Sequence, residues 1–353
     1  MGRLTNSSLC GRISRRLYRA MFAATIVACL GTLPANAGPV LWGIHEDEGR
    51  LFSIDDYTNL QPNPPLPVDP YTIAGLGFML YEPLFYEDSS GDERDLKKDI
   101  EALAIDQATG RAYMALNSSR TGYVKPVLFW IDLNVVKSGG STKVTIVDTF
   151  RDLITDEEAQ MITGLAFDPI SGQLYALDRR DNDDEPDWLL TVNPLTAKTT
   201  HVGVLTDGMD EEVGEGEDLE FDHLGRLFVA DNDGDDLYEV DEANANILGV
   251  LDNDLSGGLP FANVKFEALA WDRFNGTLVG TEDVNDLFAE ITLADNGNNT
   301  SLGRFLALTD VEGLDFYPIP EPSSFVLAVT ATLCVWLIAR RRVPHITAHP
   351  LEL

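Results

Sequence analysis

The stretch Glu267-Ala-Leu-Ala-Trp-Asp272 is one of five copies of a short phrase that recurs along the chain. The other copies are EALAID at 101–106, TGLAFD at 163–168, EDLEFD at 217–222 and EGLDF at 312–316. Their central leucines are 62, 54, 50 and 45 residues apart. A phrase that returns at such a spacing indicates that the chain is built from structural repeats.

Each of the first four phrases is followed by a turn glycine and then by three more short runs of alternating apolar and polar residues. The turn glycines are Gly110, Gly172, Gly225 and Gly276. In the first unit the runs cover residues 112–116, 128–131 and 143–147. Because alternation with a period of two is typical of strands, each unit is predicted to form four antiparallel strands, which is one blade of a β-propeller.

The fifth phrase has no room after it for three more strands, so the missing strands are sought at the beginning of the chain. Residues 41–55 align without a gap with residues 227–241, and residues 71–76 supply a fourth strand. We therefore predict an all-β fold, a β-propeller of five four-stranded blades, closed by a blade that the N- and C-terminal strands share. A propeller of six blades is the alternative if residues 77–99 contain a degenerate unit. A β-sandwich is less favoured, because that fold would not require a regular four-strand period.

The chain is strongly acidic, with 58 Asp and Glu against 25 Lys and Arg among 353 residues. Between residues 38 and 322 the net charge is −40. This charge excludes nucleic-acid binding by a basic surface and favours the binding of divalent cations. The three cysteines, Cys10, Cys29 and Cys334, fall outside that region, so a disulfide, a zinc-thiolate site or a Cys nucleophile is excluded from it.

The first 37 residues are predicted to be a secretory signal peptide. Five arginines precede the apolar run 20–33, and Ala35-Asn36-Ala37 before Gly38 matches a cleavage site between Ala37 and Gly38. The pair Arg15-Arg16 leaves open whether export uses the general or the twin-arginine route.

The C-terminal region combines three features in order. Pro320-Glu321-Pro322 precedes the uncharged, mostly apolar stretch 323–339, which ends at Arg340, Arg341 and Arg342. At ~1.5 Å per residue this stretch spans about 25 Å as a helix, which is enough to cross a bilayer, and the arginines hold its end in the cytoplasm. A transmembrane helix at 323–339 is therefore predicted.

This tail resembles the PEP-CTERM sorting signal of bacteria. The resemblance implies export, recognition of Pro320-Glu321-Pro322 by an exosortase in the membrane, and transfer to the cell surface or the extracellular matrix. A plain single-span anchor would have the same topology. The predicted domains are thus a signal peptide at 1–37, a β-propeller at 38–318, a sorting signal at 319–342 and a short cytoplasmic tail at 343–353.

Four of the five phrases carry a glutamate two residues before the central leucine. These residues are Glu101, Glu217, Glu267 and Glu312. If the phrases form the innermost strands, the four carboxylates lie in register near one mouth of the central channel. They repel one another unless they are protonated, paired with bases or bridged by a cation, so a Ca²⁺ site is predicted there. The alternative is that the side chains extend into solvent or accept backbone hydrogen bonds.

A second calcium site is predicted at Asp231, Asp233 and Asp235, because this spacing, with Glu242 at the twelfth position, resembles an EF-hand loop. The sixth position is Asp236 instead of Gly, and the context is a predicted hairpin, so only a D-x-D-x-D calcium turn is expected. A solvated acidic turn whose side chains cap their own backbone is the alternative.

Signals of an enzyme are weak. There is no H-E-x-x-H, G-x-S-x-G or phosphate-binding G-x-x-x-x-G-K motif. The Glu-Ala-Leu and Glu-Gly-Leu phrases are similar to those of calcium-dependent propeller phytases and esterases, whose channel glutamates bind calcium, but the chain lacks a concentration of Lys and Arg that would hold a phosphorylated substrate. Trp42, Trp130, Trp188 and Trp271 are predicted to be core residues, although they could stack on sugars.

We therefore predict an exported, surface- or matrix-associated propeller, stabilised by calcium, that binds an extracellular polysaccharide or a surface protein through its acidic face and is not an enzyme. The alternative is a metal-dependent extracellular hydrolase of the phosphoesterase or lactonase type.

Overall fold

Residues 38–318 form one compact unit in the computed structural model of the chain. The structure describes residues 39–45, 48–55, 57, 78–96, 99–117, 125–180, 186–208, 212–232, 236–252, 265–282, 287–291, 293, 300–304 and 311–317. None of the helices among the described residues is long and apolar enough to cross a membrane. The predicted signal cleavage site, sorting motif, membrane span and arginine cluster lie outside the described residues.

Five antiparallel sheets form the five predicted blades, and the recurring phrase lies on the innermost strand of each. Blade 1 consists of β6 (Ile100–Asp106), β7 (Arg111–Leu116), β8 (Val127–Asp132) and β9 (Thr145–Thr149). Blade 2 consists of β11 (Met161–Phe167), β12 (Leu174–Arg179), β13 (Trp188–Val192) and β14 (Lys198–Val204), with the two-residue β10 (Arg151–Asp152) added at its outer edge. Blade 3 consists of β15 (Gly216–Phe221), β16 (Leu227–Asp231), β17 (Asp236–Val240) and β18 (Ile247–Asp252). Blade 4 consists of β19 (Phe266–Asp272), β20 (Thr277–Glu282), β21 (Leu287–Ile291) and β22 (Thr300–Arg304).

Blade 5 closes the ring with strands from both ends of the chain, as the alignment predicts. Its order is β23 (Val311–Tyr317), β1 (Val40–His45), β2 (Arg50–Ile54) and β3 (Met79–Leu80). The first two strands pair antiparallel from Val40 opposite Tyr317 to His45 opposite Val311. The fourth strand is therefore Met79–Leu80, which corrects the predicted 71–76, a segment outside the described residues.

The alternative of six blades is wrong. Within residues 77–99 the structure has β3 of blade 5 and a two-stranded hairpin of β4 (Phe85–Glu87) and β5 (Glu93–Asp95), which do not form a further blade. A short helix, α1 (Leu133–Lys137), follows blade 1's third strand and is capped by the side chain of Asp132, which accepts from Asn134 N and Val135 N.

The hydrophobic core lies between the faces of neighbouring blades. Phe52 and Phe316 of blade 5 pack with Phe288 and Ala268 of blade 4, all at most 1% exposed. Similar clusters lie between blades 1 and 2, 2 and 3, and 3 and 4, for example with Leu165 of blade 2 and Ala104 of blade 1. Each blade alone has two apolar faces, so burial of both faces requires the ring of neighbours.

Side chains of one blade also form hydrogen bonds with backbone atoms on the innermost strand of the next blade. Asn117 of blade 1 bonds both N and O of Ile162 in blade 2, each at 3.0 Å. The remaining interfaces use Thr163 Oγ1 to Gly216 O at 2.8 Å, Leu269 N to Asp218 Oδ2 at 2.7 Å, Thr281 Oγ1 to Val311 O at 3.1 Å, and Ile105 N to Asp315 Oδ2 at 2.6 Å. Backbone groups that a sheet ladder leaves unpaired are thus satisfied across the ring.

The aspartate that ends each of the first four phrases forms the turn into the second strand. Asp106, Asp168, Asp222 and Asp272 accept the backbone N–H two residues later at 2.8–2.9 Å. The turn glycines that follow have φ between 71° and 83°, a region that favours glycine. We call the end of the channel with these turns the turn mouth, and the opposite end, where the innermost strands begin, the acidic mouth.

Candidate functional site

The four predicted glutamates lie at the acidic mouth, each as the second residue of its innermost strand. Glu101, Glu217, Glu267 and Glu312 occupy this position in β6, β15, β19 and β23, and all four are half-buried. Glu217 pairs with Arg179 at 2.7 Å. Burial raises the pKa of Glu217, and Arg179 opposes that effect.

Among the described residues there is no group of three or more His, Cys, Asp or Glu side chains that could hold a metal ion. Asp231 is 2% exposed and its Oδ1 accepts Glu215 N at 3.1 Å. Asp233 and Asp235 lie outside the described residues. Calcium at either site therefore stays a prediction.

Asp187 is a buried carboxyl group near the acidic mouth that the sequence did not single out. It is 0% exposed, and it accepts Arg180 N at 2.9 Å and Gly216 N at 2.8 Å, which ties blade 2 to blade 3. Burial raises its pKa to about 7, against the effect of these two hydrogen bonds. Its role is structural, because both oxygens are held by backbone amides.

The turn mouth contains a cavity of about 250 Å³. Its lining includes Glu220 of blade 3 and Asp315 of blade 5, at the position directly after the central leucine of the phrase. The other three phrases have alanine there, at 104, 166 and 270. At this position blades 1, 2 and 4 therefore carry a small side chain, whereas blades 3 and 5 carry a carboxyl group.

Glu220 is buried and Asp315 is half-buried, and the two carboxyl groups are close enough to influence each other. Burial raises the pKa of Glu220 well above its usual range, and the charges of Asp315 and Asp218 add to this. Burial raises the pKa of Asp315 to about 7 against its hydrogen bonds from Ile105 N and Phe316 N. The positive charge of Arg273, another residue of the cavity lining, lowers both pKa values. Perturbed carboxyl groups in a cavity mark a candidate functional site.

Two further polar atoms in the lining residues are buried and lack a hydrogen-bond partner among the described residues. They are Nε1 of Trp271, a residue that is 7% exposed, and Oε1 of Gln107, whose Nε2 donates to Phe316 O at 2.6 Å. A buried donor or acceptor without a partner is costly, and such groups are often completed by a ligand or water.

Exposed apolar residues of blades 2, 3 and 4 form a rim along one side of this cavity. They are Ile170, Leu195, Leu224 and Phe274, which are 72%, 73%, 62% and 60% exposed. The residue before each of them lines the cavity, namely Pro169, Pro194, His223 and Arg273. Three of the four, Ile170, Leu224 and Phe274, occupy the same place in their turns, two residues after the turn aspartate. The turn geometry thus directs large apolar side chains outward on three consecutive blades.

A smaller cavity of about 170 Å³ lies at blade 2. Its buried charges neutralise each other, because Arg180 donates to Asp178 at 2.9 Å and stacks over Trp188 at 3.9 Å from the ring centroid. The turn-mouth cavity is the stronger candidate because it is larger, and because Glu220 and Asp315 in its lining form no ion pair among the described residues.

Sequence reasoning missed the turn-mouth cavity and placed the site at the opposite mouth. The signals were present: Glu220 and Asp315 replace alanine in the repeat, and large apolar residues recur in turns that are otherwise polar. The interpretation of Trp271 as a core residue is confirmed by its burial, although it also lines the cavity.

No family model matches this chain, and no curated protein matches it. Among solved structures, the chain is similar to one from the crystal structure of a nidogen/laminin complex, with 12% identity, 79% of this chain and 97% of that chain covered, and a TM-score of 0.45. It is also similar to a streptogramin B lyase structure, with 12% identity, coverage of 81% and 71%, and a TM-score of 0.35. For virginiamycin B lyase from Staphylococcus aureus the identity is 10%, the coverage 76% and 70%, and the TM-score 0.36. At these identities and TM-scores the similarity carries no argument about function.

Proposed function

We propose that the chain is an exported, non-catalytic β-propeller that binds another protein of the cell surface or extracellular matrix through its turn mouth. The single observation that carries this proposal is the apolar rim along a cavity with incompletely paired polar groups. Exposed apolar side chains grouped in this way are typical of protein interaction sites, and the energy of such interfaces concentrates where an anchor fills a pocket.

A protein ligand is favoured over a polysaccharide by the way the aromatic residues are arranged. Trp271 is 7% exposed, and the ring of His223 stacks on it with 5.9 Å between centroids and 17° between planes. The indole ring of Trp271 therefore has little exposed surface on which a sugar ring could stack. The exposed members of the rim are mainly aliphatic, which suits apolar side chains of a protein partner better than hydroxyl groups.

The test is binding of the purified, fluorescently labelled full chain to cell envelopes of the source organism. We expect Ile170→Ser combined with Leu224→Ser and Phe274→Ser to weaken binding at least tenfold, because the apolar anchors are lost. These side chains are 60–72% exposed, so the fold should tolerate the changes.

A matched control is the pair Leu153→Ser and Ile154→Ser, which removes apolar side chains that are 66% and 84% exposed and do not line the cavity. This variant should bind like the natural chain. Protease treatment of the envelopes should abolish binding, whereas enzymes that degrade polysaccharide should not. Binding that survives protease but not polysaccharide degradation, or that is unchanged in the rim variant, contradicts the proposal.

Calcium is proposed as a stabilising ion at the loop that begins with Asp231. We expect Ca²⁺ added after EDTA to raise the Tm of the full chain by more than equal Mg²⁺, since carboxylate-rich turns prefer the larger cation. The rise should disappear when Asp233 and Asp235 are both changed to Asn and persist when Glu267 is changed to Gln. An equal response to both ions, or to NaCl alone, would show general screening of charge instead.

A further inference from the structure

We infer that the protein partner inserts a basic side chain, lysine or arginine flanked by apolar residues, into the turn-mouth cavity beside Glu220 and Asp315. This inference rests on the proposed function and adds the chemistry of the partner segment. It is carried by the charge of the cavity, by the unpaired groups in it and by the apolar rim along one side of it.

The lining of the cavity carries five carboxyl groups against one arginine and one histidine. The carboxyl groups belong to Asp106, Asp168, Glu220, Asp222 and Asp315, and the basic residues are Arg273 and His223. Asp222 pairs with Arg226 at 2.7 Å, but the remaining acidic residues have no such ion pair within the part of the chain that the structure describes. A cation entering the cavity therefore meets more carboxyl groups than bases, and its own charge favours the ionised form of Glu220 and Asp315.

Glu220 has one carboxylate oxygen available for that cation. The residue is 8% exposed, and its Oε1 accepts Phe221 N at 2.8 Å. Oε2 has no hydrogen-bond partner among the described residues, whereas both oxygens of Asp315 accept backbone amides at 2.6 Å. Glu220 is thus the residue that the inserted side chain would contact, and Asp315 adds negative charge next to it.

The other unpaired atoms fit the groups that surround a basic side chain in a peptide. Oε1 of Gln107 is an acceptor and can take an N–H of an ammonium or guanidinium group. Nε1 of Trp271 is a donor and can bond a backbone carbonyl of the same segment. Apolar residues on either side of the basic residue would then contact Ile170, Leu224 and Phe274 on the rim.

Binding of a cation competes with protons at this site. The charged and titratable groups near Glu220 come from every innermost strand and its turn, and they are Asp106, Asp168, Asp218, Asp222, His223, Arg273 and Asp315. Burial raises the pKa of Asp315 to about 7, and an added cation would favour its charged form. Affinity for a basic segment should therefore increase as the pH rises from 6 to 8.

The experiment uses three defined peptides, Ac-Phe-Lys-Leu-NH₂ and its Gln and Glu counterparts, titrated into the full chain and followed by NMR chemical shifts. We expect the Lys peptide to bind at least tenfold more tightly than the Gln peptide at pH 8, and the ratio to shrink to about threefold at pH 6. The Glu peptide should bind most weakly. A Lys-to-Gln ratio near one at pH 8 overturns the inference.

Variants show whether the preference arises at the cavity. Glu220→Gln should reduce the Lys-to-Gln ratio to twofold or less, while Glu290→Gln on β21, outside the lining, should leave it unchanged. Arg273→Gln removes the competing positive charge and should increase the Lys affinity about threefold, which also serves as a readout if Glu220→Gln fails to fold. A ratio that is the same in all three variants contradicts the inference.

The two proposals can fail separately. If the rim variant loses envelope binding but the peptides show no preference for lysine, the protein-binding function stands and the basic anchor is wrong. If the peptides show the preference but the rim variant binds envelopes normally, the cavity accepts cations and the proposed interface at the rim is wrong.

Discussion

The full chain should unfold at a higher temperature at pH 5 than at pH 8. The cause is a set of buried or half-buried carboxyl groups whose folded-state pKa values are raised, mainly by desolvation. Among them Asp187 and Asp315 have pKa values of about 7, and those of Asp218 and Glu220 lie well above the usual range.

The sign follows from proton linkage. Between the unfolded pKa near 4 and the folded pKa near 7, the folded state binds more protons than the unfolded state, so the free energy of unfolding decreases as the pH rises. For Asp187 the window from pH 5 to 7 covers about two units, which corresponds to a loss on the order of 3 kcal/mol. Below pH 4 the opposite effect begins, because carboxylates such as that of the half-exposed Asp152 become protonated. Backbone hydrogen bonds lower the pKa of Asp152, and protonation weakens those bonds.

Thermal unfolding across pH 4 to 8 measures this effect, and salt separates it from another cause. A chain with a net charge of −33 is also relieved of self-repulsion by acid, but added NaCl screens that repulsion, while buried groups are screened much less. We expect a Tm difference of at least about 5 °C between pH 5 and 8 that persists in 0.5 M NaCl. Asp187→Asn should reduce the difference, and a difference that disappears in salt would contradict the buried-carboxyl explanation.

The recurring phrase allowed most of the fold to be predicted. Leu103, Leu165, Leu219, Leu269 and Leu314 all lie on innermost strands, because strand alternation and the Asp-to-Gly turn are local features that each unit repeats. The fourth strand of blade 5 was misplaced since the connection from β2 to β3 has no counterpart in the repeat. Pairing at Phe52 opposite Leu80 depends on the closed ring and not on local pattern.

The cavity at the turn mouth was not predicted, because a repeat reveals register but not which mouth forms a cavity. Glu217 and its counterparts were placed correctly in their strands, yet the ion pair with Arg179 depends on how blades 2 and 3 meet. Glu220 stands out from the alanines of the other phrases only when the ring shows that it and Asp315 line one space. Which side chains of different blades come together depends on the tertiary structure and cannot be read from the repeat alone.

Gly313→Val should be among the most destabilising single changes in the chain. A Cβ at Gly313 would lie 2.7 Å from Leu103 N and 2.8 Å from Leu103 Cβ, so the innermost strands of blades 5 and 1 would have to separate. That interface closes the ring and includes the hydrogen bond from Ile105 N to Asp315. Overpacking against backbone cannot be relieved by a rotamer change, and we expect a loss of about 3 kcal/mol or more in urea unfolding.

Gly249→Val is the matched control, because Gly249 also lies in a strand, β18, and a Cβ there would meet nothing within 4 Å. Valine favours strands, so this change should leave the free energy of unfolding the same or raise it slightly. Gly164→Ala should give an intermediate loss, since its Cβ would lie 2.8 Å from Leu219 N in blade 3. If Gly313→Val unfolds at the same urea concentration as Gly249→Val, the innermost strands are not packed tightly enough for ring closure to limit stability.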